Sequence, residues 1–421
     1  MTMLNTTSSG TPELSSRQLK AMLYVFRFKN LTRAANKLNR SQTAITKAIA
    51  KLEAQLGVQL FDRSSVGMTP TVYGEVLAKR VEHAEAELQA AGIAYRKYNT
   101  RINPLQNIPL FTMDVSYKRL ASFIALYDTR GIAAAANQLG VTRSAIYSSI
   151  RQIEELLEIP LFERDPGGLT PTSYCHVLAR HVKLSFAQFR HAIEDIANVN
   201  GMTCGKVVIG TLPYTRTILT PRAINHLIKK NPNLDISTRE GPYLMQEALL
   251  RSGEIDFIIG ATRSDNSDTE LITEKLFEDQ LAIIVRKDHP LLSKTDLSLN
   301  DLKDYHWVLP SKGTPSRDLF DTVLASRGIA QPAHTIETSS LATIRGLLLE
   351  SDHISLLSDH QIYYDKLFGL LRSLPIELKD TYRPIGVTMH AQVQPSPAAQ
   401  LFLKSLREVV SSLKSISSPE R

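Results

Sequence analysis

Apolar Leu19, Met22, Leu23, Val25 and Phe26 recur at helical spacing near the start of the chain and predict a first amphipathic helix. Asn30-Leu31-Thr32 breaks that pattern, and Thr32 is read as the N-cap of a second helix through Ala34, Ala35 and Leu38. After a turn at Asn39-Arg40, Ser41 caps a third helix over residues 42–55. Its expected buried side is Ala44, Ile45, Ala48, Ile49 and Leu52, and its open side is Gln42, Thr43, Thr46, Lys47, Ala50 and Lys51. Two extended pieces, 60–63 and 68–71, joined by 64–67, form a two-stranded wing. A long helix over roughly 72–97 follows, with Val76, Leu77, Val81, Ala84, Leu88 and Ala91 along one side. On a helix projecting from so small a module, that stripe is expected to be a dimer seam.

The pattern then repeats. Residues 17–81 align without a gap on 118–182, an offset of 101, with about a third of positions identical. Ala34-Ala35-Asn36 falls on Ala135-Ala136-Asn137, Leu60-Phe61 on Leu161-Phe162, and Thr69-Pro70-Thr71 on Thr170-Pro171-Thr172. Helix, tight turn and a helix with a polar outer face make a helix-turn-helix, whose second helix can enter a DNA major groove by its N-terminal residues. The second copy keeps the apolar positions, including Leu120, Phe123, Leu139, Ile146, Ile150, Ile153 and Leu157. Its outer face differs, offering Thr142, Arg143, Ser144, Tyr147 and Ser148. Its trailing helix, 173–199, carries Val177, Leu178, Val182, Leu184, Phe186, Phe189, Ile193 and Ile196. Between the copies, residues 101–109 hold two prolines and read as a short, semi-rigid linker.

From Gly205 the periodicity changes to short apolar strands alternating with helices, which predicts a parallel sheet with ligands at the strand carboxyl ends. Strands are expected at 207–210, 234–239, 255–260, 281–285, 307–309 and 354–357, and at 384–389 where the chain returns to the first sub-block.

At 421 residues the chain has room for several domains, and 43% apolar with 22% charged residues is a globular composition. No apolar run is long enough for a membrane-spanning helix. Residues 1–12 read as a polar, disordered lead-in rather than a signal peptide, and two cysteines give neither a disulfide framework nor metal-ligand spacing. A reducing cytoplasm fits. The net charge of +7 is unevenly placed: residues 15–101 hold 15 Lys+Arg against 6 Asp+Glu, and residues 112–199 hold 9 against 9. The excess therefore sits in the first copy, the footprint of a polyanion binder. Glu154, Glu155 and Glu158 cluster on and after the recognition helix of copy two. Two readings of that copy stand: it still reads DNA through Arg143, or it has kept the fold and lost most affinity. The charge balance favours the second. Catalysis has little support. Ser311, His334, His353 and Asp359 fall in no nucleophile elbow, and no phosphate loop or zinc-protease signature occurs.

Thr32-Arg33-Ala34-Ala35-Asn36-Lys37-Leu38, Ser41-Gln42-Thr43-Ala44-Ile45-Thr46, Leu52-Glu53-Ala54-Gln55-Leu56-Gly57 and Leu60-Phe61-Asp62-Arg63 resemble the winged helix-turn-helix of LysR-type transcriptional regulators. Gly253-Glu254-Ile255-Asp256, His289-Pro290-Leu291 and Ser339-Ser340-Leu341 resemble that family's effector domain. The tandem module is the main departure. The resemblance implies two all-α-type winged modules with long linker helices, then an α/β effector domain of two periplasmic-binding-protein-like lobes. The expected boundaries are a lead-in 1–14, winged copy one 15–75, its linker helix 76–100 and a linker 101–113. Winged copy two follows at 114–172, with a dimerisation helix at 173–199. Lobe I is expected at 204–275 and 381–412, lobe II at 276–380, and a tail at 413–421.

In function, the resemblance implies a cytoplasmic, non-enzymatic regulator without a cofactor or metal, which binds operator DNA, a small-molecule inducer, itself as dimer or tetramer, and RNA polymerase. Thr32, Arg33, Ser41, Gln42, Thr43, Thr46 and Lys47 would face DNA, with Arg63 and Thr69 on phosphates. The matching positions of copy two are Thr142, Arg143, Ser144, Tyr147, Arg164 and Thr170. Copy two would build the dimer while copy one grips DNA. The inducer would lie between the lobes near Thr211, Leu212, Pro213, Pro242, Tyr243, Ser311, Gly313, Thr314 and Ser339. The wording around residues 210–213 and 239–243 is similar to the branch that regulates sugar-binding proteins and aromatic-acid catabolism, so a sugar or an aromatic or organic acid is expected. A solute-binding protein is the rival for the C-terminal half, but it would leave the basic winged module without a role.

Overall fold

The computed structural model describes residues 14–64, 67–100, 106–165, 168–263 and 269–416. The expected lead-in at 1–12, both wing tips (65–66 and 166–167), the first half of the linker at 101–105 and the end of the tail lie outside them. The chain forms two compact units, 1–205 with 252–254, and 206–251 with 255–421.

In the first unit, α1 (Ser16–Phe28), α2 (Leu31–Lys37) and α3 (Gln42–Leu56) precede the hairpin β1 (Phe61–Ser64) and β2 (Gly67–Pro70), and α4 runs Val72–Tyr98. Copy two repeats this as α5 (Tyr117–Thr129), α6 (Ile132–Leu139), α7 (Arg143–Leu157), β3 (Phe162–Asp165), β4 (Gly168–Pro171) and α8 (Ser173–Val199). Both wings pair antiparallel in the same register, Asp62 opposite Thr69 and Glu163 opposite Thr170. Two local expectations are corrected. The N-cap of α2 is Asn30, whose side chain accepts from the Arg33 N–H at 3.0 Å, so Thr32 lies inside the helix. Ala44 is exposed, and Thr46 is half-buried rather than open. Ala44 lies in the first turn of α3 on the side away from the core, which its neighbour Ile45 already enters.

The apolar stripes of α4 and α8 meet each other. Leu77, Val81, Ala84, Leu88 and Ala91 are buried in the same core cluster as Leu178, Val182, Phe186, Phe189 and Ile196. The stripe read as a seam between chains is thus covered within one chain. The second half of the linker belongs to the same core. A short 3-10 turn at Pro109–Thr112 buries Leu110 and Phe111, with Ile108 and Met113 beside it. Gly92 shows how close this packing is, because a Cβ there would come within 2.9 Å of the Phe111 ring.

The second unit contains β5 (Gly205–Thr211), α9 (Leu219–Lys230), β6 (Leu234–Glu240), α10 (Tyr243–Arg251), β7 (Phe257–Ala261) and β8 (Leu271–Arg286). Then come β9 (Trp307–Leu309), α11 (Pro315–Ser326), β10 (Thr335–Glu337), α12 (Leu341–Leu349), β11 (Ile354–Ser358), α13 (Tyr363–Leu367), β12 (Leu371–Ser373), β13 (Tyr382–His390) and α14 (Pro397–Ile416). The strand order is β10-β9-β11-β8-β13-β7-β5-β6, with β12 also on β8. β5 and β7 are parallel, as are β10, β9 and β11, but β8 and β13 run antiparallel to their neighbours. The sheet is therefore mixed rather than parallel. The cause is β8, 16 residues long where 281–285 was expected. Its residues 271–280 pair with β13 and its residues 281–286 with β11 and β12, so one strand serves both lobes. Each lobe has its own core, one around Phe257, Ile259, Val387 and Phe402, the other around Ile283, Trp307, Phe320 and Leu356.

Candidate DNA-reading faces and effector cleft

The N-terminus of α3 is built by Ser41, whose hydroxyl accepts from the Ala44 N–H at 3.2 Å and fixes where the helix begins. Ile45, Ile49 and Leu52 anchor the inner side, and Gln42, Thr43 and Lys47 are exposed on the outer side. Gln42 Nε2 donates to Thr32 Oγ1 at 2.9 Å, tying the recognition helix to α2. Arg33 beside it, and Arg63 and Thr69 on the wing, are exposed. Glu53 has a structural task, accepting from the Leu60 N–H at 2.8 Å and so holding the wing onto the helix.

Copy two reproduces the N-cap and the bond from the recognition helix to the wing, but not the Gln42–Thr32 tie, whose positions hold Arg143 and Ala133. Thr142 accepts from the Ala145 N–H at 3.2 Å and lies 2.9 Å from Ser144 Oγ. Glu154 accepts from the Leu161 N–H at 2.7 Å. Arg143, Ser144, Tyr147, Arg164 and Thr170 are exposed, and Arg164 donates to Tyr147 Oη at 3.5 Å. Where copy one has Lys47 and Lys51, copy two has Ser148 and Gln152, bonded to each other at 3.2 Å.

In the second unit, Leu212, Pro213, Pro242, Tyr243, Ser311, Gly313, Thr314 and Ser339 all line one cavity of about 710 Å³. Thr211 does not. It is buried in β5 at 1% exposure, its hydroxyl donating to the Arg239 carbonyl, and it needs correcting as a contact. A residue ending a central strand points alternately into core and cleft, and Thr211 falls on the core side. The starts of α10, α11 and α12 reach the same cavity through Pro242, Thr314 and Ser339, and helix N-termini present free N–H groups.

Four cations in the lining were not anticipated: Arg216, Arg263, Lys312 and Arg383, against one acid, Glu240. Arg216 is held by Glu240 at 3.1 Å and by the Thr211 carbonyl at 2.8 Å. Burial pulls its pKa down despite Glu240. Arg383 is buried against Asp279 at 3.1 Å and over the Tyr214 ring at 5.1 Å. Arg263 stands 4.3 Å from the Tyr243 ring centroid, and no acid lies within ion-pair distance of it or of Lys312 among the described residues. Each comes from a different loop or strand, so no sequence motif announces the cluster. Among the described residues no group of His, Cys, Asp and Glu could hold a metal ion, and no helix is long and apolar enough to cross a membrane.

Comparison with known proteins decides the family. Residues 16–75 and 117–176 each match the bacterial regulatory helix-turn-helix protein, lysR family, and residues 200–411 match the LysR substrate binding domain. The chain belongs to the LysR family. It is a LysR-type DNA-binding transcriptional regulator with two winged modules and a substrate-binding domain. It is 32% identical over 393 residues to the HTH-type transcriptional regulator GalR of Pseudomonas putida, an alignment covering 93% of this chain and 96% of that one. What that alignment omits is shorter than one module. PcaQ of Agrobacterium fabrum, 27% identical, is covered to 96% of its length but reaches only 71% of this chain, as expected of a LysR regulator with a single module. Among solved structures, the LysR regulator CbnR has a TM-score of 0.52 at 18% identity, covering 70% of this chain and 99% of that one. A full-length OxyR variant of Pseudomonas aeruginosa has a TM-score of 0.51 at 20% identity, covering 72% and 97%. Both share the fold.

Proposed function

We propose that this LysR regulator responds to a small organic acid, aromatic or aliphatic, whose carboxylate is held in the cavity of the second unit. The observation that carries this is the cavity's charge: Glu240 and Asp279 answer Arg216 and Arg383, Arg263 and Lys312 have no acid at ion-pair distance among the described residues, and the starts of three helices reach the lining. A neutral sugar would leave Arg263 and Lys312 unanswered, whereas a carboxylate accepts charge-assisted hydrogen bonds from both side chains and backbone N–H groups. Tyr214, Tyr243, Ile344 and Leu356 give the rest of the lining the apolar area that an aromatic or alkyl body needs. On the DNA side, Gln42 and Thr43 contact base edges, Lys47 and Arg63 neutralise phosphate, and Arg33 and Thr69 fix register. Such a regulator works in the cytoplasm beside its operator, and the bound acid changes its contact with RNA polymerase.

Titration calorimetry of the full-length chain against aromatic and aliphatic carboxylates and against neutral sugars tests the assignment. Carboxylates should bind and sugars should not. Lys312→Ala and Arg263→Ala should each weaken the carboxylate about tenfold, or about 1.4 kcal/mol. Sugar binding that these substitutions leave unchanged would overturn it.

A further inference from the structure

In a two-fold interface between identical bodies, residue i of one meets j of the other, and j meets i. That signature occurs here inside one chain, shifted by the repeat offset of 101 residues. Arg80 of α4 donates to Gln188 of α8 at 3.2 Å, and His181 of α8 meets Glu87 of α4 at 2.8 Å. His181 is the repeat counterpart of Arg80, and Gln188 that of Glu87. At the helix ends Tyr73 donates to Asn200 at 2.6 Å, while its counterpart Tyr174 lies tilted against Tyr98 and Tyr95, with ring centroids 5.6 and 5.2 Å away. Asn99, the counterpart of Asn200, joins that cluster by donating to Tyr95 Oη at 3.0 Å. The helices run antiparallel about a pivot near the buried pair Ala84 and Ser185. The two winged modules are therefore related by an internal two-fold.

The acids that neutralise copy two do not blank its reading end. Glu154 holds the wing as Glu53 does in copy one, so it adds no charge difference. Glu155 pairs with Arg151 at 2.8 Å, and Glu158 is the C-cap beyond the far end of α7. The groove-entering end keeps Arg143, Ser144 and Tyr147 exposed, with Arg164 beside them.

We propose that one chain is a complete two-headed reader, a fused pair of unlike winged modules that recognises an asymmetric operator. Its two half-sites differ in sequence, hold a fixed order and spacing, and are read by α3 and α7 of the same polypeptide. Gln42 favours adenine on one half and Arg143 guanine on the other. The proposal rests on the DNA-binding assignment and adds that copy two is a full partner.

Selection of duplexes from a random pool by the full-length chain, followed by sequencing, tests it. The enriched motif should contain two unlike halves. Gln42→Ala with Lys47→Ala should erase base preference in one half, and Arg143→Ala in the other, each weakening binding about tenfold or more. Arg143→Lys, which keeps the charge, should still lose the guanine preference. Mixing the Gln42→Ala/Lys47→Ala chain with the Arg143→Ala chain should leave binding at the level of either alone, since both heads must sit on one chain. An inverted repeat of identical halves that Arg143→Ala leaves intact overturns the proposal, and so does wild-type binding restored by mixing. Failure to enrich any duplex would instead sink the DNA-reading assignment, and the proposal with it.

Discussion

Arg80 and His191 lie in the same buried seam and meet the cost of burial in opposite ways. Arg80, 2% exposed, has its guanidinium satisfied by Asp195 at 2.6 Å and Gln188 at 3.2 Å. His191, 6% exposed, has no hydrogen-bond partner for Nδ1 among the described residues and lies near Arg80 and Arg190. Burial first, then the two arginines, hold its pKa well below the usual range, so it is neutral in the folded state. His83, on the facing helix, shifts the same way, with burial again the first cause. The unfolded chain then takes up protons below about pH 6.5 that the folded chain refuses, and stability falls with them. Thermal melts should accordingly be flat above neutrality and decline from about pH 6.5 downward. His191→Phe should make that decline shallower; a slope unchanged by the substitution would place its origin elsewhere.

At the scale of elements, the linker between the modules is a packing piece as much as a connection. Phe111, 5% exposed, lies over Gly92 of α4 and 5.7 Å from the Tyr95 ring, which in turn reaches the Leu157 carbonyl at the end of α7. Through Phe111, α4 and copy two are held together, and a helical glycine that would otherwise cost about 1 kcal/mol is the only residue that leaves room for it. Phe111→Ala should destabilise the unit by about 3 kcal/mol and raise amide exchange over residues 106–116 and at the end of α4. The opposite result, exchange confined to the linker alone, would make it a tether. The helices were legible from period and caps because those signals are local, and α8 spans the expected Ser173–Val199, with Thr172 capping its start. What covers each stripe was not legible, since a seam between chains and a seam within one chain have the same hydrophobic pattern. Asn30 and Thr32 are both residue types that cap helices, and only the backbone, extended at Asn30, separates them. The β8 extension leaves no period-two signal in the sequence, since residues 271–280 alternate irregularly between buried and exposed. The cleft showed the same division: turns after strands were readable by position, but Arg216, Arg263, Lys312 and Arg383 converge only once the sheet is assembled.

At the scale of the whole molecule, the buried clusters divide cleanly. One runs from Leu14 to Ile196 and spans both winged modules and their helices; the others lie between Val207 and Leu413. No cluster is shared among the described residues, so each unit has what it needs to melt as a separate cooperative block. Differential scanning calorimetry of the full chain should resolve two transitions. A carboxylate at about 100 times its dissociation constant should stabilise the second unit's transition by about 2.7 kcal/mol, and duplex DNA should raise the first unit's. The informative quantity is the cross-effect. If the acid regulates DNA binding, the shift produced by DNA must depend on whether the acid is present, and by linkage the shift produced by the acid must depend equally on DNA. Two shifts that add without interaction would mean that ligand occupancy never reaches the reading heads through equilibrium affinity. Regulation would then have to act on contacts with a third partner.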